Sequence, residues 1–534
     1  MGKRKKGDVQ KVKAAERVDQ DASVTTLSTG GVAVQFFLDG DLADTSTRYV
    51  ARKSKGMSLE LRQSHGWLNG MLDASSLAEV HEPSHPGKLC TIVPDKELIF
   101  VDRHGRRVSD PVLRVKVEDV REAGAATQPQ MSVVFIRWGG VHRIGEGCEP
   151  ADEGQGGWGL FGSPPSDWYM DAVVKMGVLA HPILGGVERN VEVVSLFVSS
   201  DTDMQSMVSE ADQVTALMFG QKIASFWMLW PAEFATDWEG DGFPGFVARH
   251  SMFAGQRALE ATGFVKSAFP HPSDVWEFIT SKEWMANLSP QTATMRLPAC
   301  VLLSKEAVIR NSAEAAHTAM LDLEAMRSSS VFAAAGGLAE VNQRCLCKGV
   351  VKLGWSWEAK LVWFWNSEAE LASCLSAAML LPSCTAEQCI VQEWVDFDFE
   401  LRLFFLPSRD WTPGIRLEPV HHGYTAWDND GDADAPQKFL KPKETTIMQW
   451  WAGDKKALAS AHKQAVDASQ HLIAELLTKH EEPVPFIRMD WMLKRSSPGN
   501  AKVVFGEYCE MGACCLMFEE LPPRIWRQAL DFVL

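Results

Sequence analysis

The sequence predicts a multidomain protein of mixed α+β and α/β class, and three observations support that prediction. Its 534 residues are enough for about two to four domains. Hydrophobic residues make up 46% of the chain, an ordinary fraction for a protein that buries sizeable cores. Short alternating apolar runs fill the first part of the chain, whereas helical patterns alternate with strand-like runs in the rest.

The N-terminal segment, residues 1–27, is polar and nearly free of large apolar groups, which predicts a disordered basic tail. Its KRKK run at positions 3–6 fits either a nuclear-import or phosphate-surface patch, or an ordinary solvated tail. The net charge of −16 argues against general nucleic-acid binding. The 11 cysteines lack disulfide spacing, and no secretory or membrane-spanning stretch is visible. We therefore expect a cytoplasmic protein with reduced thiols, or a nuclear one if KRKK acts as a signal.

Residues 28–125 predict a small β-rich module. The runs GVAVQFFLDG, MSLELRQ and VLRVKVEDV alternate apolar and polar residues between turns, as half-buried strands do. We expect a barrel or sandwich that binds a protein partner and carries no catalytic residue. The stretch AGAATQPQ, residues 123–130, then predicts a linker.

Residues 131–275 predict a small α/β domain with a parallel sheet. The apolar runs MSVVFIRWGG, VEVVSLFVSS and KIASFWMLWP read as buried strands, and helical patterns lie between them. The glycine-rich segment 145–165 has no GxGxxG pattern between a strand and a helix. A mobile loop explains that segment better than a phosphate cradle.

Residues 276–534 change character again. DVWEFITSKEWMANLS and AVIRNSAEAAHTAMLDLEAMRSS have the periodicity of amphipathic helices. A hairpin-like pair follows, RCLCKGVVKL and KLVWFWN, then a helix and one long predicted strand, CIVQEWVDFDFELRLFFLP. Oxygens at positions 428, 430 and 432 suggest either a calcium loop or a solvated acidic loop. A helix near 454–480 leads into the last strand pair.

That last pair, PFIRMDWMLKR and KVVFGEYCEMG, places acids in an apolar context. If the strands pair around the turn RSSPGN, Asp490 and Glu507 converge on one side. Two converging carboxylates resist ionisation unless a cation holds them together, and oxygen ligands without histidine favour Mg²⁺. The alternative is a structural salt bridge between Arg488 and a carboxylate.

Two lysines in CLCKGVVKL also suggest phosphate chemistry. Lys348 and Lys352 share one face of a strand whose other residues are apolar. Their ammonium groups either reach water along the strand surface or point at a phosphate. The turn GWSWEA that follows is short enough to act as a flap over a ligand.

The order of these features resembles the ATP-grasp superfamily over roughly residues 240–520, preceded by a domain that resembles its pre-ATP-grasp domain. The resemblance implies a two-lobed fold with a lobe linker near 392–396, and the cofactors ATP and Mg²⁺. It implies an ATP-dependent ligase that joins a carboxylate to an amine, thiol or similar nucleophile through an acyl phosphate. The alternative is a catalytically weak or inactive ATP-binding regulatory or assembly factor with the same fold.

The resemblance also implies which residues would meet the nucleotide. Lys282 and Lys348 stand where the family's phosphate-contacting lysines are expected. The backbone of Glu393, Trp394 and Val395 would contact adenine. Glu400 resembles the carboxylate that binds the ribose hydroxyls, with Asp396 and Asp398 as second choices.

For catalysis, Arg488 resembles the arginine that steadies the transferred phosphoryl group, and Asp490 and Glu507 resemble the magnesium ligands. The sequence departs from the family at one point. The family commonly ends with Glu-x-Asn, whereas here Cys509 occupies the asparagine position and Glu510 lies beside it. Sulfur is a poor Mg²⁺ ligand, so Glu510 is the replacement ligand that we expect.

Overall fold

In the computed structural model, the described residues are 31–40, 42, 47–73, 88–108, 112–124, 128–139, 170–186, 188–233, 246–288, 294–328, 348–355, 362–381, 384–428, 438–478, 480, 484–509 and 520–534. The chain forms two compact units. One comprises Met1–Phe36, Asn69–Asp95 and Val112–Gly124, and the other comprises Phe37–Leu68, Lys96–Pro111 and Ala125–Leu534.

The strands are β1 Val32–Asp39, β2 Tyr49–Arg52, β3 Leu61–Leu72, β4 Leu89–Pro94, β5 Ile99–Val101, β6 Leu113–Lys116, β7 Val120–Glu122, β8 Met131–Trp138, β9 Val191–Val198, β10 Lys222–Met228, β11 Trp230–Ala232, β12 Phe246–Ala248, β13 Val265–Phe269, β14 Cys300–Ser304, β15 Gly349–Lys352, β16 Val362–Trp365, β17 Gln388–Glu393, β18 Phe399–Phe405, β19 His421–Asp428, β20 Lys438–Leu440, β21 Ile487–Ser497 and β22 Asn500–Cys509. The α-helices are α1 Asp201–Ala216, α2 Arg249–Ala261, α3 Ser273–Thr280, α4 Glu283–Leu288, α5 Lys305–Ser328, α6 Glu368–Met379, α7 Glu444–Trp450, α8 Lys455–Leu477 and α9 Leu521–Asp531. A short 3₁₀ helix covers Val117–Asp119 and a π-helix covers Val173–Val178.

The first unit is built from short antiparallel strands. β4 pairs with β6 and with residues 70–72 of β3, and residues 34–36 of β1 pair with β7. The alternating sequence pattern of this region therefore does produce strands. The predicted module bounds, residues 28–125, stay a prediction. Residues 37–68 and 96–111 within them belong to the second compact unit.

The second unit contains the parallel sheet that the sequence predicts. Its strands run in the order β13-β10-β8-β9, all parallel, and β9 also pairs antiparallel with residues 61–65 of β3. Every residue of β8 is buried, as expected for a central strand covered on both faces. Helices α1 and α2 contribute Met204, Met207, Met252 and Phe253 to the same core.

Two antiparallel sheets follow within this unit. The smaller has the order β14-β17-β15-β16, and its core includes side chains of α5 and α6. The larger has the order β20-β19-β18-β21-β22, and its core includes the buried face of α8. The predicted hairpin of β15 with β16 and the predicted pair of β21 with β22 both form.

Two predicted elements are wrong in detail. The long strand predicted over 389–407 is two strands, β17 and β18, which belong to different sheets. The helical pattern after residue 273 is also divided, because Lys282 takes a left-handed φ of 59° between α3 and α4. Both breaks lie next to predicted site residues. No described helix has the length and apolar character required to cross a bilayer.

His271, just before α3, should make the stability of the protein sensitive to acid. Its ring is fully buried and stacks on Phe486 with 5.9 Å between ring centroids. Among the described residues, neither ring nitrogen has a hydrogen-bond partner. Burial, reinforced by the nearby His480, lowers the pKa of His271 from 6.5 to about 3.

The unfolded chain therefore binds a proton near pH 6.5 that the folded protein takes up only near pH 3. The resulting stability is complete above pH 6.5 and is lost as the pH falls. We expect His271→Phe to remove about 3 kcal/mol of the decline in unfolding free energy between about pH 7 and about pH 4. Urea unfolding at both pH values measures this, with the exposed His250→Gln as control. An unchanged decline in the His271→Phe protein would contradict the assignment.

Candidate nucleotide-phosphate site

Three neighbouring strands of the larger antiparallel sheet bring charged side chains onto one face. Arg402 of β18 lies directly opposite Asp490 of β21, and Asp490 lies directly opposite Glu507 of β22. The convergence of Asp490 and Glu507 predicted from the sequence is present. Glu400 lies two residues before Arg402 and therefore shares its face.

A β-bulge makes that convergence possible. Asp490 pairs with Glu507 whereas Trp491 pairs with Phe505, so Gly506 is an extra residue in β22. Strict alternation would put Glu507 on the same face as Phe505, which packs against Trp491 in the core. The extra residue reverses the phase and turns Glu507 toward Asp490. A Cβ at position 506 would lie 3.1 Å from the Asp490 carbonyl oxygen, so glycine suits this close approach.

Asp490 is a buried carboxylate held by two guanidinium groups. Arg488 donates from Nε to Oδ1 at 2.9 Å and from Nη2 to Oδ2 at 2.7 Å. Nε of Arg402 lies 3.4 Å from Oδ2. The side chains of Asp490, Arg488 and Arg402 are 2%, 3% and 5% exposed, so this is a desolvated charge cluster.

Glu507 pairs with a lysine from a distant part of the chain. Lys282 Nζ lies 3.1 Å from Glu507 Oε1. Burial alone would raise the pKa of Glu507, but Lys282 and Arg488 outweigh that effect and leave the pKa below its usual value. Lys282 reaches Glu507 from the strained left-handed turn between α3 and α4, a backbone conformation that is more common at functional sites.

Lys352 is the second lysine of this cluster, and the sequence pattern did not single it out over Lys348. Burial, followed by repulsion from Lys282, lowers the pKa of Lys352 to about 8, although Glu507 opposes the shift. Its Nζ donates to Gln392 Oε1 at 3.1 Å. Lys348, which the sequence favoured, is exposed, and its Nζ lies 4.9 Å from the ring centroid of Trp394.

Glu400 sits at the edge of the charge cluster. Burial raises its pKa, while Arg402 opposes and Asp490 reinforces that shift. Thr425 Oγ1 donates to Glu400 Oε2 at 2.9 Å. The two second choices are engaged elsewhere: Asp396 pairs with Lys494, and Asp398 accepts from the Trp451 indole at 2.9 Å.

The predicted lobe linker leaves only part of its backbone available. The Glu393 N–H donates to the Ala299 carbonyl at 3.0 Å, and the Trp394 N–H donates to the Lys348 carbonyl at 3.2 Å. The Glu393 carboxylate is buried, accepting from the Ala299 N–H at 2.9 Å and pairing with Arg327 at 3.3 Å. Within the described part of the chain, the Val395 N–H has no backbone partner. Of the three residues predicted to contact adenine, Val395 is therefore the one whose N–H is not already bonded to another described backbone group.

Asp490 and Glu507 fit a hard cation as two oxygen ligands on neighbouring strands. Cys509 lies opposite Arg488 on the same face, and its thiol adds no ligand suited to Mg²⁺. Glu510 lies outside the described residues. Those residues contain no group of three acidic, histidine or cysteine side chains arranged around a metal. Both Asp490 oxygens also bind Arg488, so phosphate oxygens and water would have to complete the coordination.

The cluster has more basic groups than carboxylates, in a chain whose net charge is −16. The basic side chains are Lys282, Lys352, Arg402 and Arg488, and the acidic ones are Glu400, Asp490 and Glu507. They come from β15, β18, β21, β22 and the turn after α3. This excess of one basic group favours an anionic ligand, and the two buried arginines have little water to solvate their charge.

No family model matches the sequence, and no curated protein is similar to it. Solved structures with similar folds include D-alanyl-alanine synthetase A from Vibrio cholerae O1 biovar eltor, with 9% identity, a TM-score of 0.39, and coverage of 76% of this chain and 99% of that chain. N5-carboxyaminoimidazole ribonucleotide synthetase from Thermus thermophilus has 12% identity, a TM-score of 0.37, and coverage of 75% and 78%. An ATP-grasp ligase solved with a minimal precursor has 12% identity, a TM-score of 0.27, and coverage of 53% and 69%. All of these TM-scores are low, so the function proposed for this chain rests on the geometry of its own site.

Proposed function

We propose that the protein is an ATP- and Mg²⁺-dependent carboxylate ligase of the ATP-grasp type. The observation that carries this proposal is the cluster of four basic and three acidic side chains on β15, β18, β21, β22 and the turn after α3, in which Arg402, Arg488 and Asp490 are buried and the others are half-buried. A triphosphate is the common biological ligand whose charge such a cluster complements, and a ligase needs ATP to activate its carboxylate substrate.

In this proposal the lysines and the arginines of the cluster have different roles. Lys282 and Lys352 neutralise the phosphates as compact point charges. Arg488 stabilises the negative charge that develops on the transferred phosphoryl group, and Arg402 lies beside Asp490, with 3.4 Å between its Nε and Asp490 Oδ2. Because the two arginines are held against Asp490 by their strands before ATP arrives, they need little reorganisation on binding.

The acidic side chains would hold the cation and the sugar. Asp490 and Glu507 would hold Mg²⁺, whose chemistry is to screen the phosphate oxygens and orient them. Glu400 accepts one hydrogen bond from Thr425 and has a raised pKa, so hydroxyl groups of ribose suit it as further partners. The Val395 N–H would contact adenine.

A ligase also binds a carboxylate and forms an acyl phosphate on it, and the cluster supports that step through charge. The carboxylate substrate brings a second negative group to the γ-phosphate. Four nearby cations lower the repulsion between the two anions, which otherwise opposes attack.

Addition of ATP with Mg²⁺ should raise the melting temperature of the protein, whereas ATP with EDTA should raise it less. Mass action predicts about 2.7 kcal/mol of stabilisation at a ligand concentration about 100 times Kd. Thermal unfolding monitored by tryptophan fluorescence measures both shifts, and AMP serves as a control with one phosphate. Equal shifts for ATP and AMP would count against a triphosphate site.

A catalytically weak ATP-binding factor is the second candidate, and Cys509 favours it. The thiol lies on the site face opposite Arg488, where the ATP-grasp resemblance implies an amide oxygen. An assembly factor of this kind would show the same thermal shift with Mg²⁺ and ATP. It would release no additional ADP and phosphate when carboxylate and amine libraries are supplied, whereas a ligase would.

A further inference from the structure

A second group of side chains, the buried Glu233 and Trp355 with the half-buried Arg249, lies against the turn that follows Lys352. β11 and β12 pair in parallel with Ala232 opposite Ala248, so the next residues, Glu233 and Arg249, emerge side by side. Arg249 Nη1 lies 3.2 Å from Glu233 Oε1, with 4% of the Glu233 side chain exposed. The geometry follows from the strand register and does not depend on a loop.

Trp355, three residues after Lys352, connects this ion pair to the turn. Its backbone N–H donates to the Glu233 carboxylate, and the Arg249 guanidinium lies 5.4 Å from the centroid of its ring. The indole is fully buried and also packs on Phe253, with 5.4 Å between ring centroids. The turn is therefore held by a hydrogen bond, a cation–π contact and apolar packing.

The residue before Trp355 ties the same turn to the other lysine of the site. A Cβ at Gly354 would lie 2.3 Å from the Ser281 carbonyl oxygen, so the two backbones approach more closely than any side chain permits. Ser281 is the neighbour of Lys282. One contact thus places the segments that carry Lys352 and Lys282 against each other.

We propose that Glu233, Arg249 and Trp355 form an anchor that holds Lys352 in position for the nucleotide phosphates. This inference rests on the proposed function, because it assumes that Lys352 binds phosphate. The anchor residues are positioning residues: they act through the turn and do not touch the nucleotide. Ionised Glu233 accepts the Trp355 N–H and pairs with Arg249 more strongly than the neutral acid does, so the anchor should tighten as Glu233 loses its proton.

The surroundings of Glu233 place that titration in the physiological range. Burial raises the pKa of Glu233 to about 7, and Arg249 opposes the shift. The other groups that act on Glu233, or that it acts on, are Glu283, Glu387, Cys384 and Cys389. A carboxyl group with a raised folded pKa lowers stability as the pH rises from 4.5 to about 7. Nucleotide affinity should instead rise as the pH rises, because the anchor tightens when Glu233 ionises. A residue that only stabilised the fold would not produce this rise in affinity.

The test is an ATP titration of the full chain with Mg²⁺ at about pH 6 and about pH 7.5, in which calorimetry measures the dissociation constant. Wild-type affinity should rise by up to about tenfold, the change in the ionised fraction of Glu233 over that interval. Glu233→Gln should show low affinity and lack this rise, whereas Glu306→Gln, which changes an exposed carboxylate paired with Arg310, should behave as wild type. The protonation of free ATP changes with pH in the same way whichever variant is present. Only the difference in affinity between variants is therefore interpreted.

Arg249→Gln provides a second variant in case Glu233→Gln does not fold. Without the cation, Glu233 should lose its proton at higher pH, so the rise in affinity should move to more alkaline values. Identical pH profiles in wild type and both variants would overturn the anchor while leaving ATP binding intact. A wild-type protein that binds no ATP would overturn the proposed function and the anchor together.

Discussion

The Asp490→Asn protein is expected to lose the Mg²⁺-dependent part of its ATP affinity and much of its stability. The wild-type carboxylate accepts from Arg488 at 2.9 and 2.7 Å and lies 3.4 Å from Arg402. Asparagine removes the negative charge that lies between the two buried guanidinium groups, and leaves Arg402 with the more distant Glu400 carboxylate of its own strand at 3.6 Å. Breaking a buried pair in this way costs about 3–5 kcal/mol.

Urea unfolding measures that loss, and ATP titration with and without Mg²⁺ measures the loss of cation-dependent affinity at a temperature where the variant is folded. Asp467→Asn is the matched control, because Asp467 pairs with Arg416 at 3.0 Å in an exposed ion pair worth about 0–1 kcal/mol. If Asp490→Asn retained wild-type stability, the buried cluster would be misassigned. If it retained Mg²⁺-dependent affinity, Asp490 would not be a metal ligand.

Replacing Lys352 with alanine should weaken ATP binding more than replacing Lys348. Loss of a charge-assisted contact costs about 1–3 kcal/mol, and each 1.4 kcal/mol is about a tenfold change in Kd. Lys352 lies beside Lys282 and Glu507, whereas Lys348 precedes β15 and lies beside Trp394.

The pH dependence provides a further check on Lys352. Its pKa of about 8 means that the ammonium is present below about pH 8 and lost above it. Wild-type affinity should therefore fall between about pH 7.5 and about pH 9, and Lys352→Ala should show a smaller fall. Lys348→Ala is the control, because it makes the same change of side chain at the exposed residue just before β15. A larger loss of affinity in Lys348→Ala would restore the role that the sequence suggested for Lys348.

These two lysines illustrate what the sequence can and cannot predict. Period-2 alternation predicts Lys348 and Lys352 on one face of a strand and treats them as equivalent, whereas the strand begins at Gly349 and includes only Lys352. Only the neighbouring segments distinguish them, and those come from far away in the sequence: Lys282 and Glu507 near one, Trp394 near the other.

The lobe linker shows a second limit of the sequence pattern. Apolar residues recur from Cys389 to Phe405 with no glycine or proline between them, so a single strand is the natural prediction. The chain instead changes sheets between Glu393 and Phe399. Pairing partners decide where a strand ends, and β17 pairs with β14 and β15 whereas β18 pairs with β19 and β21. The strand pair that carries Asp490 and Glu507 was predictable because a short turn joins its two members.

The extra residue at Gly506 has a consequence for redesigning this protein. The extra residue changes which side chains of β22 face the hydrophobic core. Before Gly506 they are Ala501, Val503 and Phe505, and after it Tyr508. Deleting or inserting one residue of β22 just before Glu507 would change which face of the sheet the later side chains occupy. An acidic side chain would then enter the core and an aromatic one would leave it, although neither residue had been replaced. Chimeras that graft another C-terminal segment onto this chain should therefore be joined after Cys509 or before Asn500, never between them.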